Sequence, residues 1–378
     1  MRRVALLASA FAVLLVGVAA GASRETGSVE ARWVMTDLST LGGKGSLASA
    51  INARGQVVGR SATASGGWHA FLWQNGKMVD LGTLGGSNSG ATAINERGQV
   101  VGTSDTKSPG FHGFLWQNGK MTDLGTLYGP QSVAVAINER GQIAGWSTRK
   151  RYPNHAFLWQ KGKMTDLGSL GGTSEPRDIN DRGQVVGSSD TTHGSHAFLW
   201  QNGNMAELGF LSAIAINERG QIIGEGTTAS FDFHASLWQN GTTTDLGTLG
   251  GKQSNAVAIN ERGQVVGESD TKNTSHAFLW QNGKMTDLGS LGGIDSRGRD
   301  YSGATAINER GQVVGSSRST GGIHAFIWEN GKMSDLGTFP GGKMTEAVAI
   351  SNRGQIIGYS TNRAHARHAV LWTLKAGG

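Results

Sequence analysis

A histidine returns eight times at one place in a recurring pattern: His69, His112, His155, His196, His234, His276, His324 and His368. An acidic residue keeps step with it at Asp37, Asp80, Asp123, Asp166, Asp245, Asp287 and Asp335, with Glu207 in the remaining copy. Imidazole and carboxylate are the groups of acid–base catalysis and metal ligation. One pair per repeat argues against both, because it distributes the groups instead of converging them. A glycosidase needs two carboxylates about 5 to 10 Å apart across one cleft, and nothing in the spacing brings two together. Scaffold is the better reading. Buried polar groups need partners, and in one copy His112, Trp116, Asp123 and Ser104 are the candidates for a network that pins strands to one another.

The elements that position these groups follow from the repeat. Its turn glycines, Gly55, Gly98, Gly141, Gly183, Gly220, Gly263, Gly311 and Gly354, are separated by 43, 43, 42, 37, 43, 48 and 43 residues. A period this long built from short strands means a propeller blade or a solenoid coil. Each copy holds four strand candidates, for example Ala91–Asn95, Gly98–Gly102, His112–Trp116 and Met121–Leu124. Valine, isoleucine and aromatics fill them, with Gly and Asn between. Asn-Gly pairs such as Asn75-Gly76 and Asn118-Gly119 suit type I′ hairpins. The chain carries an orphan fourth strand at Trp33–Leu38 and an orphan third strand at 368–372. Sharing one blade completes both, and a closed ring leaves only short outer edges. The expected fold is all-β: a single eight-bladed β-propeller of four-stranded antiparallel blades over residues 33–374, closed by pairing of the two chain ends. Residues 375–378 form a tail.

Outside the repeat, Arg2 and Arg3, the apolar run Val4–Val18 and Ala20-Gly21-Ala22 form a signal peptide over residues 1–22, followed by a linker over 23–32. The apolar run is short for a membrane span. A secreted protein, periplasmic or extracellular, is expected. There is no cysteine, which excludes disulfides, thiol catalysis and thiolate metal sites. The net charge of +6 falls by two on cleavage and is spread by the repeat. That excludes the concentrated basic face nucleic acid requires. Arg54, Arg97 and their equivalents would repel a cation from the N-E-R-G turns, so no calcium is expected there. No phosphate, dinucleotide or nucleophile-elbow motif is present. No cofactor is expected, and the protein should be a monomer.

Variation between copies points elsewhere. The loops between second and third strands differ freely, and binding residues concentrate on loops carried by a rigid frame. Trp68, Phe111, Tyr152, Phe231 and Phe233 place aromatics there. Arg149, Arg151, Arg363 and Arg367 place cations there. One inner strand also breaks pattern, with Glu175-Pro176-Arg177-Asp178 where other copies are apolar. Arg177 pairs with Asp178 or Glu175 beside a wet channel, or contacts a ligand at its mouth.

The recurring H-A-F-L-W, D-L-G-T-L-G-G and A-I-N-x-R-G-Q-V-V-G resemble the HAF family of extracellular bacterial repeats, over about residues 33–372. The resemblance implies an exported, propeller-like repeat protein and carries no activity. Two copies depart from it. The fifth reads Glu207-Leu208-Gly209-Phe210-Leu211 and lacks T-L-G-G; the seventh inserts residues around Asp295–Tyr301. The expected function is a non-enzymatic binding module whose variable face meets a glycan, an envelope polymer or a surface protein. The alternatives are a lyase or glycosidase on the propeller face and a purely structural repeat protein.

Overall fold

The computed structural model describes residues 32–149 and 152–375. The expected signal peptide, nearly all of the linker, Lys150, Arg151 and the last three residues lie outside them. The described chain forms eight sheets of four antiparallel strands. Blade 1 runs through Gly42–Ile51, Val57–Thr63, Trp68–Gln74 and Lys77–Asp80, and the next six blades repeat that order. Blade 8 takes its outer strand from the beginning of the chain. Arg32–Asp37 pairs with Arg367–Lys375, in a register from Arg32 opposite Lys375 to Asp37 opposite Val370.

The core lies between blades rather than within them. Successive residues of a strand point to opposite faces, and here both faces of each sheet are covered. Val57 therefore packs with Ile357 and Leu371 of blade 8, while Val58 packs with Val100 and Phe114 of blade 2. All four of these valines and isoleucines are fully buried. Close packing also explains the glycine after each V-V pair. A Cβ at Gly102 would lie 2.0 Å from the carbonyl oxygen of Gly90. The hairpin turns keep positive φ at Asn75 and Gly76, 51° and 76°, as a type I′ turn requires.

Two blades depart from the packing rule and compensate for it. Six blades bury a phenylalanine in the third strand: Phe71, Phe114, Phe157, Phe198, Phe278 and Phe326. Blade 5 has Ser236 there. Phe210, in the shortened crossing, fills the gap: its ring edge lies 2.5 Å from a Cβ built on Gly224, as that of Phe157 does at Gly145. Blade 8 has Val370, and Phe339 and Trp372 fill its interface. Trp372 is fully buried and donates from Nε1 to Leu336 O at 3.0 Å.

The N-E-R-G turns form a ladder around one face. Asn95 Nδ2 donates to Gln99 Oε1 at 2.8 Å and to Asn138 O of the next blade at 3.1 Å. Glu139 accepts from Glu96 N–H at 2.7 Å. Equivalent Asn–carbonyl bonds link every pair of consecutive blades from 1 to 8. So do bonds from backbone N–H to a side-chain oxygen. Neither kind is found among the described residues where blade 8 meets blade 1, because Ser351 and Ala53 replace the Asn and the Glu.

Candidate functional site

The opposite face carries the strand crossings and the histidines. His112 Nδ1 lies 2.8 Å from Asp123 Oδ2, and each blade repeats the pair, with Glu207 serving His196 at 2.6 Å. Asp123 Oδ1 also accepts from Gly125 N–H at 2.7 Å, which fixes the start of the crossing. Ser104 stays apart from this pair. Its hydroxyl accepts from Leu84 N–H at 2.8 Å and donates to Asp105 O at 3.0 Å. Trp116 packs, half-buried, against the core between blades 1 and 2. The arrangement thus holds third strand, fourth strand and crossing together. His276 differs: Nε2 also meets Asp300 Oδ2 at 3.1 Å. Burial opposes its positive charge, but Asp287 and Asp300 outweigh burial and raise its pKa above 6.5. Among the described residues no three His, Asp or Glu side chains are placed to hold a metal ion.

The residue after V-V-G sits in the second strand, faces the neighbouring blade near the crossings, and changes from blade to blade. It is Arg60, Thr103, Trp146, Ser188, Glu225, Glu268, Ser316 and Tyr359 in turn. Cation and ring therefore stand in blades 1 and 8, and two carboxylates stand in blades 5 and 6. A cavity of about 680 Å³ spans blades 8, 1 and 2, with Arg60, Trp68, Asp105, Phe111, Tyr359 and Arg367 on its walls. Arg60 lies over the Trp68 ring, 5.3 Å from its centroid, and Arg367 lies over Tyr359 at 4.8 Å. Such stacking fixes a guanidinium while leaving its N–H donors available. Burial, then Glu346, pushes the Tyr359 phenol well above its ordinary range, so it stays protonated.

The remaining candidates scatter. Arg363 lines a separate hollow with Phe339 and His368. Phe231 is 84% exposed in blade 5, and Phe233 borders a third cavity with Glu225 and Glu268. Burial raises the pKa of Glu268, although Tyr301 donates to it. Arg149 and Tyr152 face each other in register at the ends of two strands of blade 3. Arg151 lies outside the described residues. Arg177 occupies the bulge found in every innermost strand; it is exposed and forms no ion pair among the described residues. Asp178 turns away from it, accepting from Ile179 N–H at 2.8 Å and from Ile216 N–H of blade 5 at 3.0 Å. Loop variation did not reveal Arg60, Tyr359, Glu225 or Glu268. The signal for them was the one variable position inside V-V-G-x-S.

No family model matches the chain, and no curated protein matches it significantly. The family resemblance rests on its motifs alone. Solved structures do match. Dipeptidyl peptidase 4 of Porphyromonas gingivalis is 10% identical, with 87% of this chain and 58% of that one covered and a TM-score of 0.59. The β-propeller domain of the trilobed protease from Pyrococcus furiosus is 10% identical over 89% and 96% of the two chains, TM-score 0.47. A puromycin-hydrolyzing peptidase of Mycobacterium tuberculosis is 10% identical over 75% and 48%, TM-score 0.46. The chain spans a little under three fifths of the length of dipeptidyl peptidase 4. The class defined is an eight-bladed β-propeller, a fold shared with dipeptidyl peptidase 4. This corrects the expected glycan- or envelope-polymer-binding module. Dipeptidyl peptidase 4, which shares the fold, is by name a peptidase, and the aromatic candidates with described side chains are dispersed rather than set in one sugar-stacking platform: Trp68 and Phe111 line one cavity, Phe233 another, and Phe231 is in solvent. Arginines cover one face of Trp68 and of Tyr359, and Phe111 packs edge-on against Trp146 with centroids 6.3 Å apart. No helix of the described residues is long and apolar enough to cross a membrane.

Proposed function

We propose that the chain is a propeller of the kind peptidases carry, and that its cavity between blades 8, 1 and 2 receives a segment of polypeptide. The observation that carries this is the stacking of two arginines on two aromatic rings within one cavity. Guanidinium N–H groups suit backbone carbonyls and carboxylates, and the ring edges with Leu47 and Val348 give apolar walls for a side chain. Dipeptidyl peptidase 4, which shares the fold, is by its name an enzyme acting on peptides. The similarity covers only a propeller-sized part of that enzyme, so the reading is engagement of a peptide rather than its hydrolysis. The sequence of the first 22 residues suits an exported protein, and hence an exported polypeptide as ligand.

The test is fluorescence polarisation with a pool of labelled unstructured peptides. Arg60→Ala and Arg367→Ala should each weaken binding about tenfold or more, the loss of a charge-assisted bond. Arg97→Ala, on the opposite face, should leave it unchanged. Equal affinity in all four proteins, or no binding by folded wild type, removes the reading.

A further inference from the structure

The stretch inserted in the seventh copy builds a cavity of its own. The crossing from blade 6 to blade 7 carries Asp295–Tyr301, and the hollow beneath it measures about 440 Å³, within the usual range of ligand pockets, roughly 300–1,000 Å³. Its walls carry five charged side chains: Asp270, Asp295, Arg299, Asp300 and Arg318. Three are already engaged. Asp295 accepts from Arg297 N–H at 2.8 Å and pairs with Arg299 Nη2 at 2.9 Å. Asp300 accepts from Ser290 Oγ at 2.8 Å and meets His276 Nε2 at 3.1 Å. The Thr274 hydroxyl donates to the Asp300 carbonyl, tying the inserted stretch to blade 6.

Two are left. Arg318 follows the buried Ser317 in the second strand of blade 7, and no acidic group pairs with it among the described residues. Its Nε is buried without a hydrogen-bond partner. A buried donor without a partner is costly and needs an explanation. Asp270 stands at the equivalent position of blade 6. One carboxylate oxygen accepts from Ser275 Oγ at 2.8 Å; the other has no partner among the described residues. Arg318 and Asp270 border the same cavity and form no ion pair with each other. A single ligand that satisfies both carries an anionic and a cationic group within this one cavity.

We infer that this cavity is a binding site for a small zwitterion, with the ligand carboxylate on Arg318 and its ammonium group on Asp270. The guanidinium takes the carboxylate through its Nη N–H donors. Asp270 and Asp300 on the walls disfavour a multiply charged anion such as phosphate, and the neutralised Asp295–Arg299 pair closes the site without competing for the ligand. This site is separate from the peptide cavity of blades 8, 1 and 2 and does not depend on it.

Isothermal titration calorimetry of the full chain tests it with three probes. Glycylglycine carries both charges, N-acetylglycine only the carboxylate, and glycinamide only the ammonium. Glycylglycine should bind at least tenfold more tightly than either half-probe. Arg318→Gln should abolish that preference, and it should fold normally, because the Nε it removes bonds nothing. Asp270→Asn should leave glycylglycine and N-acetylglycine equal. Arg60→Ala should change none of these values, which separates this site from the other cavity. No heat with any probe, or a glycylglycine affinity untouched by Arg318→Gln, overturns the inference. So does N-acetylglycine binding as tightly as glycylglycine to the wild-type chain.

Discussion

His368 and Asp37 stand 331 residues apart in sequence and 2.9 Å apart in space, Nδ1 to Oδ2. The pair repeats the contact made inside every other blade, here between the two ends of the propeller. It marks the closure but supplies little of its strength. Asp37 is exposed, and exposed ion pairs contribute about 0–1 kcal/mol. Leu38, the next residue, is 1% exposed and packs against Phe71 and Leu371. Leu38→Ala should therefore cost about 2–5 kcal/mol, and Asp37→Ala under about 1. Urea denaturation of the two variants decides it; equal costs would mean that the polar pair holds the ring.

Blade 5 offers a swap experiment. Phe210 stands where the third-strand phenylalanine of other blades stands, and Ser236 leaves it the room. Phe210→Ala should cost about 3–5 kcal/mol through the cavity it opens. Ser236→Phe alone should also destabilise, by about 1–3 kcal/mol, because the space is filled. The double variant should recover more than about 1 kcal/mol relative to the sum of the two. Additive losses in thermal or urea unfolding would show that the two positions do not share one space.

Much of this architecture is legible in the residues. The four strands per copy, the Asn-Gly hairpins and the completion of blade 8 by Trp33–Asp37 all follow from local pattern. The double valine of G-Q-V-V-G reads as a strand buried on both faces, which only blade-on-blade packing supplies. The cavity walls are less legible. Arg60 and Tyr359 lie inside a strand whose neighbours are core, so their exposure depends on where adjacent blades splay apart. The loops between second and third strands vary more openly, yet Arg363 lies in another hollow and the Phe231 ring in solvent. The shortened fifth crossing looked like a lost motif, because nothing local says that Phe210 replaces a side chain 26 residues later. The charge of Asp178 was visible, but its partner was not: the carboxylate leaves Arg177 for the Ile216 N–H of blade 5.

The junction of blades 8 and 1 lacks both bonds of the N-E-R-G ladder. Ser351→Asn should place an amide donor within reach of the Asn52 carbonyl, and Ala53→Glu should offer an acceptor to Asn352 N–H. Each added bond is worth about 1 kcal/mol, so the double variant should gain roughly 2 kcal/mol in urea denaturation. Native-state hydrogen exchange should slow at Asn352 and in the innermost strand of blade 1 more than elsewhere. A uniform change across all blades, or none, would mean that this junction is not the weak one.

Asp178 makes stability depend on pH in an unusual direction. Burial, opposed by the N–H groups of Ile216 and Ile179 and aided by the charge of Glu218, raises its pKa from 3.8 to about 6. The folded chain then holds a proton that the unfolded chain has released between those values. Stability from this group is fully present below about pH 4, falls as pH rises to about 6 and stays lost above it. At about 1.4 kcal/mol per pH unit, the loss is at most roughly 3 kcal/mol. Alanine occupies this position in the other seven blades, for example Ala93 and Ala136. Asp178→Ala should thus be more stable than wild type at pH 7, with the difference shrinking as pH falls through 6 toward 4. Urea midpoints of the two proteins at pH 4, 5, 6 and 7 measure that convergence. Parallel curves would mean that Asp178 stays ionised in its place between blades 4 and 5, its charge carried by the two backbone N–H groups alone.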